Sequence, residues 1–174
     1  GTIKNAKLNF LNRIKVSNLN LEFDIKKSKY TLLEVKSVIN ETKLSSQIIE
    51  IDQKKDQFLI KGKILTDQKE FSKDQIKVMT DSFLKNPNIK KARFNSESDI
   101  SFNINKRLKI NNLDIRSKIN LDQLVIKNNL IDLKSYLPYL EEVINFENHK
   151  VTINYSKDKL SIKGKGKILI KENF

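Results

Sequence analysis

Arg13-Ile14-Lys15-Val16-Ser17-Asn18-Leu19-Asn20-Leu21, continued by Glu22-Phe23-Asp24-Ile25, is the stretch on which the fold turns. Apolar and polar residues alternate through it, and a period of two marks a strand with one apolar and one wet face. The alternation changes phase once. Ile14 and Val16 occupy even positions, whereas Leu19, Leu21, Phe23 and Ile25 occupy odd ones. A slip of one residue turns every following side chain to the other face, so an extra residue must be absorbed at Ser17-Asn18. A β-bulge or a tight Asn-containing turn would absorb it, because Asn tolerates a left-handed backbone. The bulge is preferred, since it keeps one long curved strand.

Working outward, the same alternation recurs at Phe58, Ile60, Gly62 and Ile64, at Ile100, Phe102 and Ile104, at Val151, Ile153 and Tyr155, and at Ile168 and Ile170. Polar clusters read as turns between the strands: 26–29, 52–56, 95–98 and 156–158. Two segments leave the pattern. Phe71-Ser72-Lys73-Asp74-Gln75 opens a helix, with Ser72 as N-cap, Gln75 at the capping-box position and Phe71 placed to staple onto Ile76. Val78, Met79 and Phe83 continue that helix at its spacing until Asn86-Pro87. A second short helix is expected over Asp132–Val143, although Pro138 interrupts it.

The chain also repeats itself. Arg13–Leu21 matches Arg107-Leu108-Lys109-Ile110-Asn111-Asn112-Leu113-Asp114-Ile115 at an offset of 94 (107 less 13), and the phase change recurs at Asn111-Asn112. Asp56–Lys63 matches Asp158–Lys165 at an offset of 102 (158 less 56). The reading is two β repeats, 1–90 ending in a short helix and 91–174 containing an inserted one. The fold class is mostly β: an antiparallel, repeated β-groove (taco-like) or a sandwich, with two short helices.

Composition narrows the function. The 174 residues are 38% hydrophobic and 32% charged, and no apolar run is long enough for a spanning helix. The opening Gly1-Thr2-Ile3-Lys4 has no apolar leader, and the chain reads as an internal segment of a longer protein. There is no Cys, which excludes disulfides and thiolate chemistry. The net charge of +13 comes from Lys scattered along the sequence rather than gathered in one block, which reads as a solvated coat.

Chemistry-bearing patterns are scarce. His149 is the only His and is read as a structural residue in a polar turn after Asn148. Glu141 and Glu142 are adjacent, so on a helix they point apart. Gly-rich phosphate loops, metal-ligand spacings and a nucleophile elbow are missing, so neither an enzyme nor a cofactor is expected. Gly62, Gly164 and Gly166 fall inside strands, where sheet bending or a close approach explains them. The Phe residues sit at apolar-face positions rather than as exposed stacking platforms, so no nucleic-acid partner is expected.

What remains is the apolar face. Each large aliphatic side chain gains roughly 1.5–3 kcal/mol on burial, and two short helices cannot cover so many strands. The strand pattern x-Ile-x-Ile-x-Asn-Leu-x-Ile at 13–21 and 107–115 resembles the repeats of the AsmA-like family, the TamB/YhdP-type bridge-like lipid transfer proteins. The Ile-Lys-Gly-Lys strands at 60–63 and 162–165, and Leu133–Pro138, are similar to that family's glycine-containing strands and short helical insert. The resemblance implies a non-enzymatic periplasmic segment of the Gram-negative cell envelope. Its parent would be anchored in the inner membrane by a helix and carry phospholipid toward the outer membrane. Phospholipid, further repeats of the parent chain and, through the anchor, the membrane are the partners it implies. The acyl chains are expected against Leu19, Leu21, Phe23, Ile60, Ile64, Leu113, Ile115, Ile153, Ile162 and Ile168, with rim Lys residues meeting phosphate head groups. The alternative is a structural or interaction β-sandwich of a surface or envelope protein, with no ligand.

Overall fold

A computed structural model describes residues 1–10, 14–80, 89–127 and 143–169. Strands β1 (Thr2–Phe10), β2 (Ile14–Lys26), β3 (Lys29–Ile39), β4 (Thr42–Lys54) and β5 (Gln57–Ser72) are followed by one helix, α1 (Lys73–Thr80). Then come β6 (Ile89–Asn105), β7 (Ile110–Lys127), β8 (Val143–Ser156) and β9 (Lys159–Leu169). All nine belong to one sheet whose spatial order is the chain order, and each pair from β1 to β5 is antiparallel. The mostly β, antiparallel fold is as the alternation requires. The described strands form one sheet rather than two facing ones. Of the two expected helices, α1 is present, while 132–142 lie outside the described residues and Val143 opens β8.

The phase change in the opening stretch is a bulge. Asn18 has a φ of 51° inside β2, and the β2–β3 register shifts between Ser17 and Asn20. Asn112, its counterpart at the offset of 94, has a φ of 52° inside β7. Neighbouring strands bulge too. Asn5 (φ 54°) on β1 and Glu34 (φ 48°) on β3 are left-handed, and β4 carries an extra residue between Ser45 and Ile49. Asn20 fastens two of these distortions: its Nδ2 donates to Asn18 O (2.8 Å), and its Oδ1 accepts from Asn5 N (3.1 Å). On β4 the buried Ser46 hydroxyl donates to Ile48 O (2.9 Å). Glu34 lies level with Gln47, so β3 and β4 bulge together and their mutual register never breaks.

Two expectations need correction. The polar run Asn95-Ser96-Glu97-Ser98 lies inside β6, not in a turn. Its side chains are satisfied across the sheet: Asn95 with Asn120, Ser96 with Thr66, Glu97 with Lys63, and Ser98 with Ser117. Likewise His149 lies within β8. Its Nδ1 is 3.0 Å from Glu147 O, and its ring meets the edge of Phe146 at 5.4 Å between centroids.

The contacts divide the chain into two compact units, one of Gly1–Asp67, Ser96–Lys118 and Ile153–Ser161, the other of Gln68–Asn95, Ile119–Thr152 and Ile162–Phe174. The second unit has an ordinary core. Phe71, 1% exposed, packs with Ile76, Ala92 and Leu121, and its ring stacks on Phe94 at 4.5 Å. Helix α1 is held there by the expected capping box: Ser72 N donates to Gln75 Oε1 (3.0 Å) and Gln75 N to Ser72 Oγ (3.4 Å). Phe71 and Ile76 share one cluster, as the staple requires. Val78, Met79 and Phe83 have side chains outside the described residues. The first unit differs: Leu21 is its one buried hydrophobic side chain among the described residues.

Candidate functional site

Residues opposite one another on paired strands share a face of the sheet, so register reads out the faces. In the first unit Phe23 is opposite Leu32, Leu32 opposite Ile49, and Ile49 opposite Gly62. The next row is Ile25, Tyr30, Ile51 and Ile60. Both rows are apolar from β2 to β5. The rows between them are not: Asp24, Thr31, Glu50 and Lys61 face the other way.

Strand β5 shows what the bulges achieve. It alternates regularly, so Gly62 and Thr66 share a face, and they lie opposite Ile49 and Leu44. Leu44 is in turn opposite Ser37, and Ile39, two residues on, is opposite Val16. Val16 and Phe23 therefore point to the same side despite their opposite parity. The bulges correct the phase and keep one face apolar from Val16 to Ile25 on β2 and, apart from the buried Ser37, from Tyr30 to Ile39 on β3.

Hydroxyl pairs carry the face onward. Thr66 Oγ1 lies 2.8 Å from Ser96 Oγ, and Ser98 Oγ lies 2.7 Å from Ser117 Oγ. By alternation from Ser98 and Ser117, Ile100, Phe102 and Ile104 on β6 and Leu113 and Ile115 on β7 join the same side. Most of these side chains are only half-buried, and within the first unit no second layer of described residues covers them.

Of the residues expected to meet acyl chains, Leu19, Leu21, Phe23, Ile60, Ile64, Leu113 and Ile115 thus share this face. Leu21 is itself buried, opposite Ile3. Ile153 is half-buried on β8, and Ile162 on β9 is 51% exposed, in the second unit. The side chain of Ile168 lies outside the described residues. Sequence reasoning missed Tyr30, Leu32, Val35, Leu44, Ile49 and Ile51. The available signal was the doubled apolar pairs Leu32-Leu33 and Ile48-Ile49, which mark strands whose alternation a bulge has interrupted.

Two of the three strand glycines, Gly62 and Gly166, lie under a neighbouring side chain. None has a positive φ. A Cβ at Gly62 would meet Ile49 Cγ1 at 3.0 Å, and one at Gly166 would collide with the His149 ring. In each case the side chain of a neighbouring strand lies over the glycine. The close approach is by the protein itself.

The opposite face is mixed, and it carries the ion pairs. Lys63 Nζ lies 2.6 Å from Glu97 Oε1 and 4.0 Å from Asp99 Oδ1, and Arg116 Nε lies 3.6 Å from Asp114 Oδ1. The hydrogen bond from Lys63 holds the Glu97 carboxyl below its ordinary range, and the same bond holds the Lys63 ammonium above its own. These groups are largely exposed, and such pairs contribute little stability. Among the described residues no three His, Cys, Asp or Glu gather to hold a metal, and no helix is long and apolar enough to cross a membrane.

The site is thus a two-faced sheet segment, with continuous apolar rows on one side and a mixture of ion pairs and isolated aliphatic side chains, Leu33 and Ile48 among them, on the other. No known protein family, curated protein or solved structure matches the chain.

Proposed function

We propose that the apolar face of the first unit holds the acyl chains of phospholipid, without catalysis, as a segment of an AsmA-like lipid-transfer protein. The carrying observation is the pair of apolar rows, Phe23-Leu32-Ile49 and Ile25-Tyr30-Ile51-Ile60, left without a second layer of described residues. An acyl chain suits such a surface. Backbone polar groups in a sheet interior are bonded to neighbouring strands, so the face presents side chains alone. The attraction is then desolvation, at about 0.8 kcal/mol per CH₂ removed from water. It is non-directional, which lets a chain lie along the face in many registers and move. In the parent protein the segment would sit in the periplasm, anchored to the inner membrane, and pass phospholipid toward the outer membrane.

Native mass spectrometry of protein purified without detergent tests this. Phospholipid adducts are expected, with further uptake from liposomes. Leu32→Lys or Ile60→Lys puts a charge on the apolar face and is expected to remove most of the bound lipid. Ile48→Lys lies on the opposite side, beside Leu33, and is expected to leave it. A clean apo mass with no uptake, or equal loss in all three variants, overturns the reading and favours a ligand-free structural β module.

A further inference from the structure

We infer that one end of the first unit, where its hairpin turns line up, docks on the surface of an anionic lipid bilayer. In a sheet whose spatial order is its chain order, alternate turns lie at the same end. The turns β2–β3, β4–β5, β6–β7 and β8–β9 therefore form a row, all within the first unit. Two contacts fix neighbours in it: Gln53 N donates to Ser28 O (2.8 Å), and Lys106 Nζ lies 2.6 Å from Asp56 Oδ1.

This row collects charge that the linear sequence spreads out. Lys26, Lys27 and Lys29 stand in the first turn, and Lys54 and Lys55 in the second. Lys106, Arg107 and Lys109 stand in the third, and Lys157 and Lys159 in the fourth. Segments 26–29, 54–57, 105–110 and 156–159 carry +3, +1, +3 and +1, together +8, and the flanking Asp24 and Asp52 reduce this to +6. Nearly half of the net +13 thus sits at one end of one unit. Asp24 is engaged with Lys26 (2.8 Å), Asp56 with Lys106, and Asp158 accepts from the Tyr155 hydroxyl (3.0 Å), while the lysines of the turns are exposed.

Charge alone would suit a nucleic acid equally well. The aliphatic residues decide between them. Ile25, Leu108 and Ile110 are among the most exposed large hydrophobics of the described chain, Leu160 is exposed as well, and all four lie in or next to these turns. Leu108 is held out at some conformational cost: its φ is 58°, a region that favours Gly or Asn. Asn105 fixes the turn around it. The Asn105 carbonyl accepts from Leu108 N (2.9 Å), and its Oδ1 accepts from Arg107 N (2.9 Å) and Lys109 N (3.0 Å). The outcome is an exposed Leu flanked by Arg107 and Lys109. Nucleic acid takes such a side chain only at a thymine methyl or as a wedge between unstacked bases, not as several aliphatic side chains spread along a row of turns, and the Tyr30 hydroxyl is tied to Gln53. A bilayer interface takes both parts, with cations among head-group phosphates and short aliphatic side chains at the acyl boundary. This docking does not require the apolar face to hold lipid, so the two readings can fail separately.

Flotation of the full chain with vesicles tests it. Binding is expected to mixed phosphatidylglycerol–phosphatidylcholine vesicles, to weaken with added salt, and to be absent with phosphatidylcholine alone. Arg107→Gln with Lys109→Gln is expected to lower the partition constant roughly thirtyfold. Leu108→Asn suits the left-handed backbone, so it is expected to raise the urea midpoint while weakening vesicle binding severalfold. Leu32→Lys, on the apolar face, is expected to keep vesicle docking. Unchanged binding in Leu108→Asn and in the double Gln variant overturns the inference, as does equal binding to phosphatidylcholine. A gel shift with nucleic acid in place of flotation reassigns the turn row to a nucleic-acid surface.

Discussion

Gly166 lies beneath the imidazole of His149, and Gly164, two residues earlier on the same face, has only Val151 Cγ2 at ordinary contact distance. The two positions make a matched pair. A methyl group at 166 must displace a ring that is itself held by Glu147 O and Phe146, whereas one at 164 adds packing. Gly166→Ala is therefore expected to destabilise by about 1–3 kcal/mol, the range for overpacking. Gly164→Ala is expected to be neutral or slightly stabilising, because Ala lowers the entropy of the unfolded chain. Urea titration at matched m-values checks both. At this scale the sequence was informative where the backbone requirement is local. Asn18 and Asn112 announced their bulges through the phase change. On β3 and β4 it was fainter: nothing in a Glu signals the left-handed backbone of Glu34, and only the doubled apolar pairs Leu32-Leu33 and Ile48-Ile49 mark the interrupted alternation.

Helix α1 illustrates the element scale, because its position was readable and its consequence was not. Ser72, Gln75 and Phe71 specify the start by local rules alone, and the structure places all three in those roles. Phe71→Ala empties the centre of the second unit's core and is expected to cost about 3–5 kcal/mol. Ser72→Ala removes only the cap and is expected to cost about 1 kcal/mol. A ratio well away from this, measured by denaturant unfolding, would mean that α1 is not held by its apolar side. Strand β6 was harder to read. The run 95–98 has turn composition, yet each of its polar side chains finds a partner on β5 or β7, a match between distant segments that no local window contains.

For the molecule as a whole, the carboxylates that hold exposed ion pairs add a small response to acid. Glu97, Asp56 and Asp24 each have a pKa lowered by a hydrogen bond from Lys63, Lys106 and Lys26 respectively. A group depressed in the folded state stabilises above its unfolded pKa, and that stability is lost as pH falls through the folded one. The urea midpoint is expected to be flat above about pH 5 and to decline below about pH 4. The decline should be shallower at high salt and in Glu97→Gln. An acid-independent midpoint would mean these pairs add nothing to stability. Net charge told the same lesson about legibility: ten of the 34 Lys and Arg residues, far apart in the sequence, fall in one row of turns. The apolar face was legible in outline from β2, β5 and β7, and incomplete at β3 and β4, where bulges hide the period.

The unbroken order from β1 to β9 also governs how the chain reaches this state. Every strand pairs with the segment synthesised just before it, so no strand must wait for a remote partner. Short loop closures favour rapid, stepwise growth from either a central or a terminal hairpin. Emergence from the ribosome, or passage across a membrane in an extended form, would deliver the segments in the sequence in which they zip together.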